Sequence, residues 1–261
     1  MKVGYIQTSP IFGKKERNFD QIEKLLANIK ADLIVLPELF ATGYTFISKE
    51  EAMSFAEKSN GNTGQFLVEI AKKSGAVVVG GYIEKEDKNI YNSAMIVSSK
   101  GVIDSYRKIH LYFKEKLWFS PGDKKIEVFE IDGAKIGIMI CFDWIFPETA
   151  RTLSILGADI IAHPSNLVLP YCQKAMVTRC LENRVFAITA NRIGKEIRGE
   201  DNFNFTGASQ ITSYNGKILS SAPTNKPFVD FAEVDLKKSR DKKLNRFNNL
   251  IKDRRKEMYL S

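Results

Sequence analysis

The chain has 261 residues, of which 44% are hydrophobic and 27% charged; this composition is typical of a globular protein with a full core and excludes intrinsic disorder. It has three cysteines, and its apolar runs are too short to span a membrane, so we expect neither a disulfide framework nor a membrane partner. Because the first residues also lack the pattern of a secretion signal, a cytoplasmic location is favoured. The net charge is +8, and +7 of it falls within residues 236–261.

The first half of the chain predicts alternating strands and helices. A short strand from Val3 to Gln7 precedes apolar residues at helical spacing between positions 19 and 29. The apolar run 31–38, ADLIVLPE, predicts a strand buried on both faces with Glu38 at its carboxyl end. A helix around 66–70 then leads into three adjacent strands over 76–84, 90–98 and 102–109. Within the first of these, Gly80-Gly81 indicates close packing.

The second half of the chain repeats this pattern. A hairpin over 128–140 turns at Asp132-Gly133 and ends at Cys141, and Pro147 then begins a helix. A strand near 158–164, a helix from about Gln173 to Arg184, a strand over 185–191 and a hairpin at Asn215-Gly216 follow. Segments 31–35 and 158–162 are similar, and each is followed two residues on by proline, which indicates an internal two-fold duplication. We interpret residues 1–261 as one α/β domain.

The basic tail, residues 236–261, has two interpretations. A run of like charges can bind nucleic acid or another polyanion. The alternative is a structured segment whose charges meet solvent or a partner subunit. We favour the second because the tail contains apolar residues that a disordered arm lacks, and we therefore expect no nucleic-acid partner. These residues are Leu244, Phe247, Leu250, Ile251, Met258 and Tyr259.

The motifs of the sequence bear on three kinds of chemistry, namely metal binding, phosphate binding and nucleophilic catalysis. Only two histidines are present, at 110 and 163, and Cys-x-x-Cys is absent from the sequence, which argues against a zinc site. Glycine-rich phosphate loops are also absent from the sequence, so we expect neither a metal nor a cofactor. Nucleophilic catalysis is the third kind. Cys141 follows an apolar strand at a sharp turn, where unpaired backbone N–H groups can stabilise a thiolate and an oxyanion, although a buried structural cysteine would fit the same position.

Two further polar residues, Glu38 and Lys108, also stand at predicted strand ends. Three blocks surround them and Cys141, namely LPELFATGY, YRKIHLYFKEKLWFSPG and GIMICFDWIFPETAR. In these blocks the sequence resembles the nitrilase or carbon–nitrogen hydrolase superfamily over nearly its whole length. The resemblance implies a four-layer α-β-β-α sandwich and a homodimer, or a higher even oligomer, with the tail at the dimer contact. It also implies that Glu38 is the general base, Lys108 the cationic stabiliser, Cys141 the nucleophile and Glu115 the second glutamate beside the lysine.

Such a set of residues suits hydrolysis of an amide. An amide is a poor electrophile with a poor leaving group, so its cleavage needs a nucleophile, a proton shuttle and a charge sink. Cys141 would attack, Glu38 would move the proton, and Lys108 with the backbone N–H of Phe142 would hold the oxyanion. We therefore expect a carboxamide to become a carboxylic acid and ammonia through a thioester on Cys141. A papain-like pair of a cysteine with His110 or His163 is the weaker alternative, since His110 is predicted to lie in the Lys108 strand and His163 to make a core hydrogen bond.

The substrate is less well defined by the sequence. True nitrilases of the superfamily usually carry Trp-Glu after the cysteine, whereas Asp143 here resembles the amidase and carbamoylase branches. Ile145 replaces an arginine of many omega-amidase-like members, which argues against carboxylate-bearing substrates. The alternatives are a nitrilase acting on small aliphatic mono- or dinitriles, an N-carbamoyl hydrolase, and a vestigial site whose basic tail binds nucleic acid. The residues expected to bind substrate are Phe142, Trp144, Asn166, Tyr44 and Phe113.

Overall fold

The computed structural model describes residues 1–259, so the last two residues of the basic tail lie outside the described part of the chain. The strands are β1 (Lys2–Gln7), β2 (Leu33–Val35), β3 (Val77–Glu86), β4 (Asn89–Ser98), β5 (Gly101–Arg107), β6 (Val128–Ile131), β7 (Ala134–Ile138), β8 (Ile160–Pro164), β9 (Phe186–Ala190), β10 (Ile193–Arg198), β11 (Asp201–Thr206), β12 (Gln210–Thr212), β13 (Ile218–Ser221) and β14 (Phe228–Glu233). The α-helices are α1 (Lys15–Leu25), α2 (Lys49–Ser54), α3 (Asn62–Ser74), α4 (Glu115–Trp118), α5 (Pro147–Ile155), α6 (Cys172–Asn183) and α7 (Leu236–Arg240). Short 3₁₀ turns span Cys141–Ile145 and Lys256–Met258.

Two six-stranded sheets have the same arrangement of strands. The first has the order β14-β1-β2-β3-β4-β5, and the second has the order β6-β7-β8-β9-β12-β13. In each sheet, the second, third and fourth strands are parallel, and every other pairing is antiparallel. Strands β2 and β8, which come from the two similar sequence segments, therefore occupy equivalent positions. The internal two-fold duplication predicted from the sequence is confirmed by this topology.

The central strands β2, β8 and β9 bury both of their faces. Along β2, Leu33 and Val35 belong to one apolar cluster and Ile34 to another, because successive side chains of a strand point to opposite faces. The first cluster also contains Ile136 and Ile160 of the second sheet, so it lies between the two sheets. The other cluster contains apolar residues of α1 and α3, which cover the outer face of the first sheet. Helix α6 packs on β9 and β12 of the second sheet. The α-β-β-α sandwich expected from the resemblance is confirmed.

The basic tail is attached to the body by polar contacts. Arg240 pairs with buried Asp159 at 2.8 Å, and Lys242 donates hydrogen bonds to the carbonyl oxygens of Asn183 and Arg184 at 2.9 and 2.8 Å. Burial lowers the pKa of Lys242 to about 8. Most of the apolar residues that were predicted to anchor the tail are exposed instead, so they do not hold it on its own subunit. The exposed ones are Leu244, Phe247, Met258 and Tyr259.

None of the helices within residues 1–259 is long and apolar enough to cross a membrane.

Candidate active site

Glu38 lies in the loop that follows β2, against the neighbouring strand β3. The loop can approach β3 closely because position 81 is a glycine. A Cβ atom on Gly81 would lie 2.6 Å from the Cα of Glu38 and 2.5 Å from the backbone nitrogen of Leu39, closer than any real side chain can sit. The close packing predicted for Gly80-Gly81 is thus confirmed, and Gly81 is what allows Glu38 to face the gap beside β3 and β4.

Three buried charged side chains meet at the ends of these strands. The ammonium of Lys108, which follows β5 directly, lies 2.7 Å from Oε1 of Glu38 and 2.8 Å from Oε1 of Glu115. Lys108 and Glu38 are 0% exposed and Glu115 is 3% exposed. Asn92 of β4 donates to Glu38 at 2.7 Å, and the hydroxyl of Tyr44 donates to Glu115 at 2.6 Å. The structure therefore brings together three of the four predicted catalytic residues by direct contact.

The charges of this cluster set its protonation. Burial by itself would lower the pKa of Lys108, but the negative charges of Glu115 and Glu38 outweigh burial and hold the pKa above its ordinary value. Lys108 is therefore an ammonium at neutral pH. Burial raises the pKa of Glu115, and the charge of Lys108 opposes that rise. A cation flanked by two carboxylates balances a charge that an isolated buried ammonium would leave uncompensated.

Cys141 stands at a strained turn between β7 and the 3₁₀ turn that it begins. Its φ is +41°, a left-handed value that is rare for a residue with a side chain. Asp143 fixes the turn, because its buried carboxylate accepts hydrogen bonds from the backbone N–H of Ile140 at 2.8 Å and from the hydroxyl of Tyr106 at 2.9 Å. It also accepts from the backbone N–H of His110 at 3.2 Å. The sharp strand-to-helix turn predicted at Cys141 is confirmed.

The thiol of Cys141 is buried and electrically coupled to the charged cluster. Burial raises its pKa well above the ordinary value, the charge of Glu38 raises it further, and the charge of Lys108 opposes both. The backbone N–H of Asn166 also favours the thiolate. The resting group is thus a thiol rather than a thiolate, and it can act as a nucleophile only if a base removes its proton during attack.

The two histidines occupy positions that do not pair with the thiol. His163 of β8 is fully buried; its Nε2–H donates to the backbone carbonyl of Cys141 at 3.0 Å, and its Nδ1 accepts from the hydroxyl of Thr189 at 3.1 Å. Burial lowers the pKa of His163 to about 4, so the ring is neutral. Both ring nitrogens are engaged, which confirms the core hydrogen bond predicted for His163 and argues against a papain-like pair.

His110 differs from its prediction. Strand β5 ends at Arg107, so His110 lies beyond the strand and does not share a strand face with Lys108. The chain bends there, because the carboxylate of Asp143 draws in both the backbone N–H of His110 and its ring Nδ1, the latter at 2.8 Å. The imidazole stacks on Phe146 with ring centroids 3.7 Å apart. His110 therefore supports the Cys141 turn rather than the Lys108 strand.

A small pocket of about 10 Å³ opens beside Cys141. Three of the predicted substrate-binding residues line it, namely Phe142, Trp144 and Asn166. Two others do not: Tyr44 and Phe113 line a neighbouring pocket, also of about 10 Å³, together with Glu115. Tyr44 is buried and points its hydroxyl at Glu115, so its contact is with the charged cluster. Cys172 and Cys180, which were predicted to be packing residues, are buried in the core.

Several residues around the site were missed by the sequence analysis. Asn92 and Ser93 are two polar residues that interrupt the apolar interior of β4, and that interruption was the available signal. Tyr112 lines the Cys141 pocket, and the centroid of its ring lies 5.0 Å from that of Phe142. Buried Glu196 of β10 accepts hydrogen bonds from the backbone N–H groups of Tyr44 and Thr45 at 3.1 and 2.9 Å. Glu196 thereby ties the loop after Glu38 to the β10–β11 hairpin, a long-range contact for which the sequence carries no local signal.

Within residues 1–259, no group of three or more His, Cys, Asp or Glu side chains is arranged to hold a metal ion.

Comparison with known proteins gives a consistent result. A family model described as carbon-nitrogen hydrolase matches residues 2–243. The chain is 46% identical to a protein of Pyrococcus abyssi named nitrilase, with 99% of each chain covered. It is 31% identical to an (R)-stereoselective amidase of a Pseudomonas species, covering 98% of this chain and 92% of the amidase. The crystal structure of a carbon-nitrogen hydrolase from Helicobacter pylori G27 superposes with a TM-score of 0.89 at 25% identity, covering 99% of this chain and 97% of the other.

Proposed function

Because the chain belongs to the carbon–nitrogen hydrolase family, we propose that it hydrolyses small neutral carboxamides to carboxylic acids and ammonia through a thioester on Cys141. The observation that carries the proposal is the buried Lys108 held between Glu38 and Glu115, in electrostatic contact with a thiol on a strained turn. This arrangement supplies a nucleophile, a carboxylate and a cation within one dry site. Each is a group that amide cleavage requires.

Acylation begins as the sulfur of Cys141 attacks the amide carbon and Glu38 takes the thiol proton. Concerted proton removal is needed because the buried thiol is protonated at rest. The negative charge that develops on the amide oxygen is stabilised by the ammonium of Lys108 and by the backbone N–H of Phe142. Glu38 then gives its proton to the amide nitrogen, the C–N bond breaks, ammonia leaves, and the acyl group remains on sulfur as a thioester.

Deacylation uses Glu38 and Lys108 again, with water in place of the thiol as the nucleophile. Glu38 removes a proton from water as the water oxygen attacks the thioester carbon, and Lys108 again stabilises the oxyanion. The C–S bond breaks, the proton returns to sulfur, and the carboxylic acid is released. Glu115 does not transfer a proton in this scheme. Its contact with Lys108, together with the hydrogen bond from Tyr44, holds the ammonium in position between the carboxylates.

The nature of the pocket supports a small neutral substrate. Its walls are largely apolar, and among the described residues that line it none carries a charge. A substrate with a free carboxylate or ammonium would therefore lose hydration there without gaining a partner. The absence of an arginine at position 145 is consistent with this preference.

A nitrile is the second candidate substrate, because the relative at 46% identity is named nitrilase. The thiol can attack either carbon, but a nitrile first gives a thioimidate, which must add water before ammonia can leave. An amide instead reaches the tetrahedral intermediate directly and needs a proton on nitrogen at once. We favour the amide because Asp143, rather than the glutamate usual in nitrilases, shapes the turn that presents Cys141.

Matched substrates separate these two candidates. Ammonia release would be measured for propionamide against propionitrile and for benzamide against benzonitrile, with N-carbamoyl compounds as a third class. We expect each amide to exceed its nitrile at least tenfold in kcat/KM, equivalent to about 1.4 kcal/mol of transition-state stabilisation. If the nitriles have the higher kcat/KM in both pairs, the protein is a nitrilase and the amidase assignment is wrong. A consistent advantage for the N-carbamoyl compounds would assign it to the carbamoylase branch.

We also propose a homodimer with the basic tail at its contact. The exposed apolar residues Leu244, Phe247, Met258 and Tyr259 support this, because a dimer contact would remove these large side chains from water. Binding of nucleic acid by the tail is the competing interpretation. It would account for the charge of the tail but not for the exposed aromatic and aliphatic side chains.

A further inference from the structure

The side chain of Asn166 is buried and has no hydrogen-bond partner within residues 1–259. It is 2% exposed, and both its Oδ1 and its Nδ2 are unpaired. Buried amide groups in proteins are almost always hydrogen-bonded, because an unpaired one has lost its hydration without replacement. The described part of the chain offers Asn166 no such replacement. Other buried side chains also lack a partner, but Asn166 lines the pocket beside Cys141, where a bound molecule can supply one.

The position of Asn166 is fixed by its neighbours in the chain. On one side, the backbone N–H of Ser165 donates to the carbonyl of Ala190 at 2.8 Å. On the other, the backbone N–H of Leu167 donates to Oδ1 of Asn191 at 2.9 Å. These two bonds fix the backbone on either side of Asn166. They therefore hold the residue at the edge of the pocket.

Asn166 lines the pocket beside Cys141. Its backbone N–H already acts on the thiol, which places the residue next to the reacting sulfur. Glu38 and Lys108 are not among the described residues that line this pocket. The pocket is therefore bounded by Cys141 and by Phe142, whose backbone N–H is assigned to the oxyanion, and the charged cluster lies behind it. The acyl chain of a substrate bound at Cys141 can lie in this pocket.

We propose that Asn166 recognises a neutral polar group on the acyl chain of the substrate, and that a second primary carboxamide is the group that fits it. This inference rests on the proposed function. A carboxamide both donates and accepts, so it can pair with Oδ1 and Nδ2 at once through two antiparallel hydrogen bonds. A carboxylate can satisfy only Nδ2, and an ammonium can satisfy only Oδ1. Either would also carry an uncompensated charge into a pocket whose described walls are uncharged.

Three substrates of similar size test this specificity. Succinamide carries the second carboxamide, 4-methylpentanamide replaces it with an isopropyl group of the same shape, and succinamate replaces it with a carboxylate. After correction for the two equivalent amides of succinamide, we expect its kcat/KM to exceed that of 4-methylpentanamide at least tenfold, because the apolar analogue leaves Asn166 unpaired. Succinamate should be the poorest of the three. One ammonia should then be released per succinamide, since hydrolysis converts it to succinamate.

Substitution of Asn166 tests whether a preference for succinamide over 4-methylpentanamide depends on this residue. Asn166→Leu has nearly the same shape and lacks both polar atoms, and we expect it to lower the ratio of the two kcat/KM values, succinamide over 4-methylpentanamide, at least tenfold. Asn166→Ser serves as a second variant if thermal unfolding shows that the leucine variant does not fold, and it should lower the ratio in the same direction. An unchanged ratio in a folded variant would overturn the assignment.

The outcomes for the wild-type protein separate this inference from the proposed function. If 4-methylpentanamide is hydrolysed as efficiently as succinamide, the protein is an amidase but Asn166 does not read a second polar group. If no ammonia is released from these amides or from propionamide and benzamide, the proposed function itself fails.

Discussion

Replacing Lys108 with methionine removes the cation of the charged cluster at nearly constant side-chain length. The ammonium lies within 2.8 Å of both Glu38 and Glu115, and all three side chains are buried. Without it, two carboxylates face each other in a site that water hardly reaches. Like charges at such a distance cannot both persist, so the pair is expected to take up a proton.

Two losses of activity then combine in Lys108→Met. Removal of one oxyanion donor typically lowers the rate ~10²–10³-fold. A proton taken up by the carboxylates also occupies Glu38, and loss of acid–base catalysis typically lowers the rate ~10²–10⁴-fold. We therefore expect kcat/KM for propionamide to fall on the order of 10⁴-fold or more. Ammonia release under single-turnover and steady-state conditions measures it.

Stability should change in the same variant, because removing one partner of a buried ion pair typically costs about 3–5 kcal/mol. The unfolding free energy of Lys108→Met, measured with urea, should fall by that amount at pH 7 and rise again as the pH is lowered toward 5. The sign follows because the folded carboxylates retain a proton that the unfolded chain releases in that range. Glu115→Gln is the matched control, since it keeps an oxygen for Lys108 and should lose less. Activity within tenfold of wild type, or unchanged stability, in Lys108→Met would refute this description of the cluster.

The remaining predictions concern the other cysteines, a histidine and the tail. Cys172→Ala and Cys180→Ala should keep wild-type kcat/KM within a few-fold and lose about 1 kcal/mol of unfolding free energy, since both residues only pack; a 100-fold loss of activity in either would contradict this. The pKa of His163 is about 4 in the folded protein and near 6.5 in the unfolded chain. When the pH is lowered from 7 to 4.5, the unfolding free energy of the wild type should therefore fall by about 2–3 kcal/mol more than that of His163→Gln. Parallel pH curves for the two proteins would exclude that linkage. Deleting residues 246–261 should shift a dimer toward monomer or aggregate in light scattering, whereas unchanged size and activity would favour the nucleic-acid interpretation.

The sequence predicted the repeated strand unit, the burial of the central strands and the turn at Cys141 well. These features follow from local patterns, because apolar runs, turn residues and the residue after a strand are all visible in a short window. The family resemblance added which strand ends converge, and the contact of Glu38, Lys108 and Glu115 agrees with it.

What the sequence did not predict depends on contacts between distant segments. His110 leaves its strand because Asp143, 33 residues later, draws in its backbone and ring. The tail is held by Arg240 on Asp159 and by Lys242 on the carboxyl end of α6, whereas most of the apolar residues expected to anchor it are exposed. The unpaired amide of Asn166 is visible only when the surroundings of both its polar atoms are known. For His110 and the tail, a side chain acts on a segment that sequence spacing cannot bring near it.

In the proposed reaction the acyl group of the substrate is bound covalently to the sulfur of Cys141 before water releases it. The most direct test is to mix the protein with propionamide, quench the reaction with acid, digest the protein and map its peptides by mass spectrometry. A mass increase equal to one propionyl group on the peptide that contains Cys141, absent from Cys141→Ala, is the predicted result. Turnover with no adduct on that peptide, or an adduct on the peptide of Cys172 or Cys180 instead, would contradict the claim.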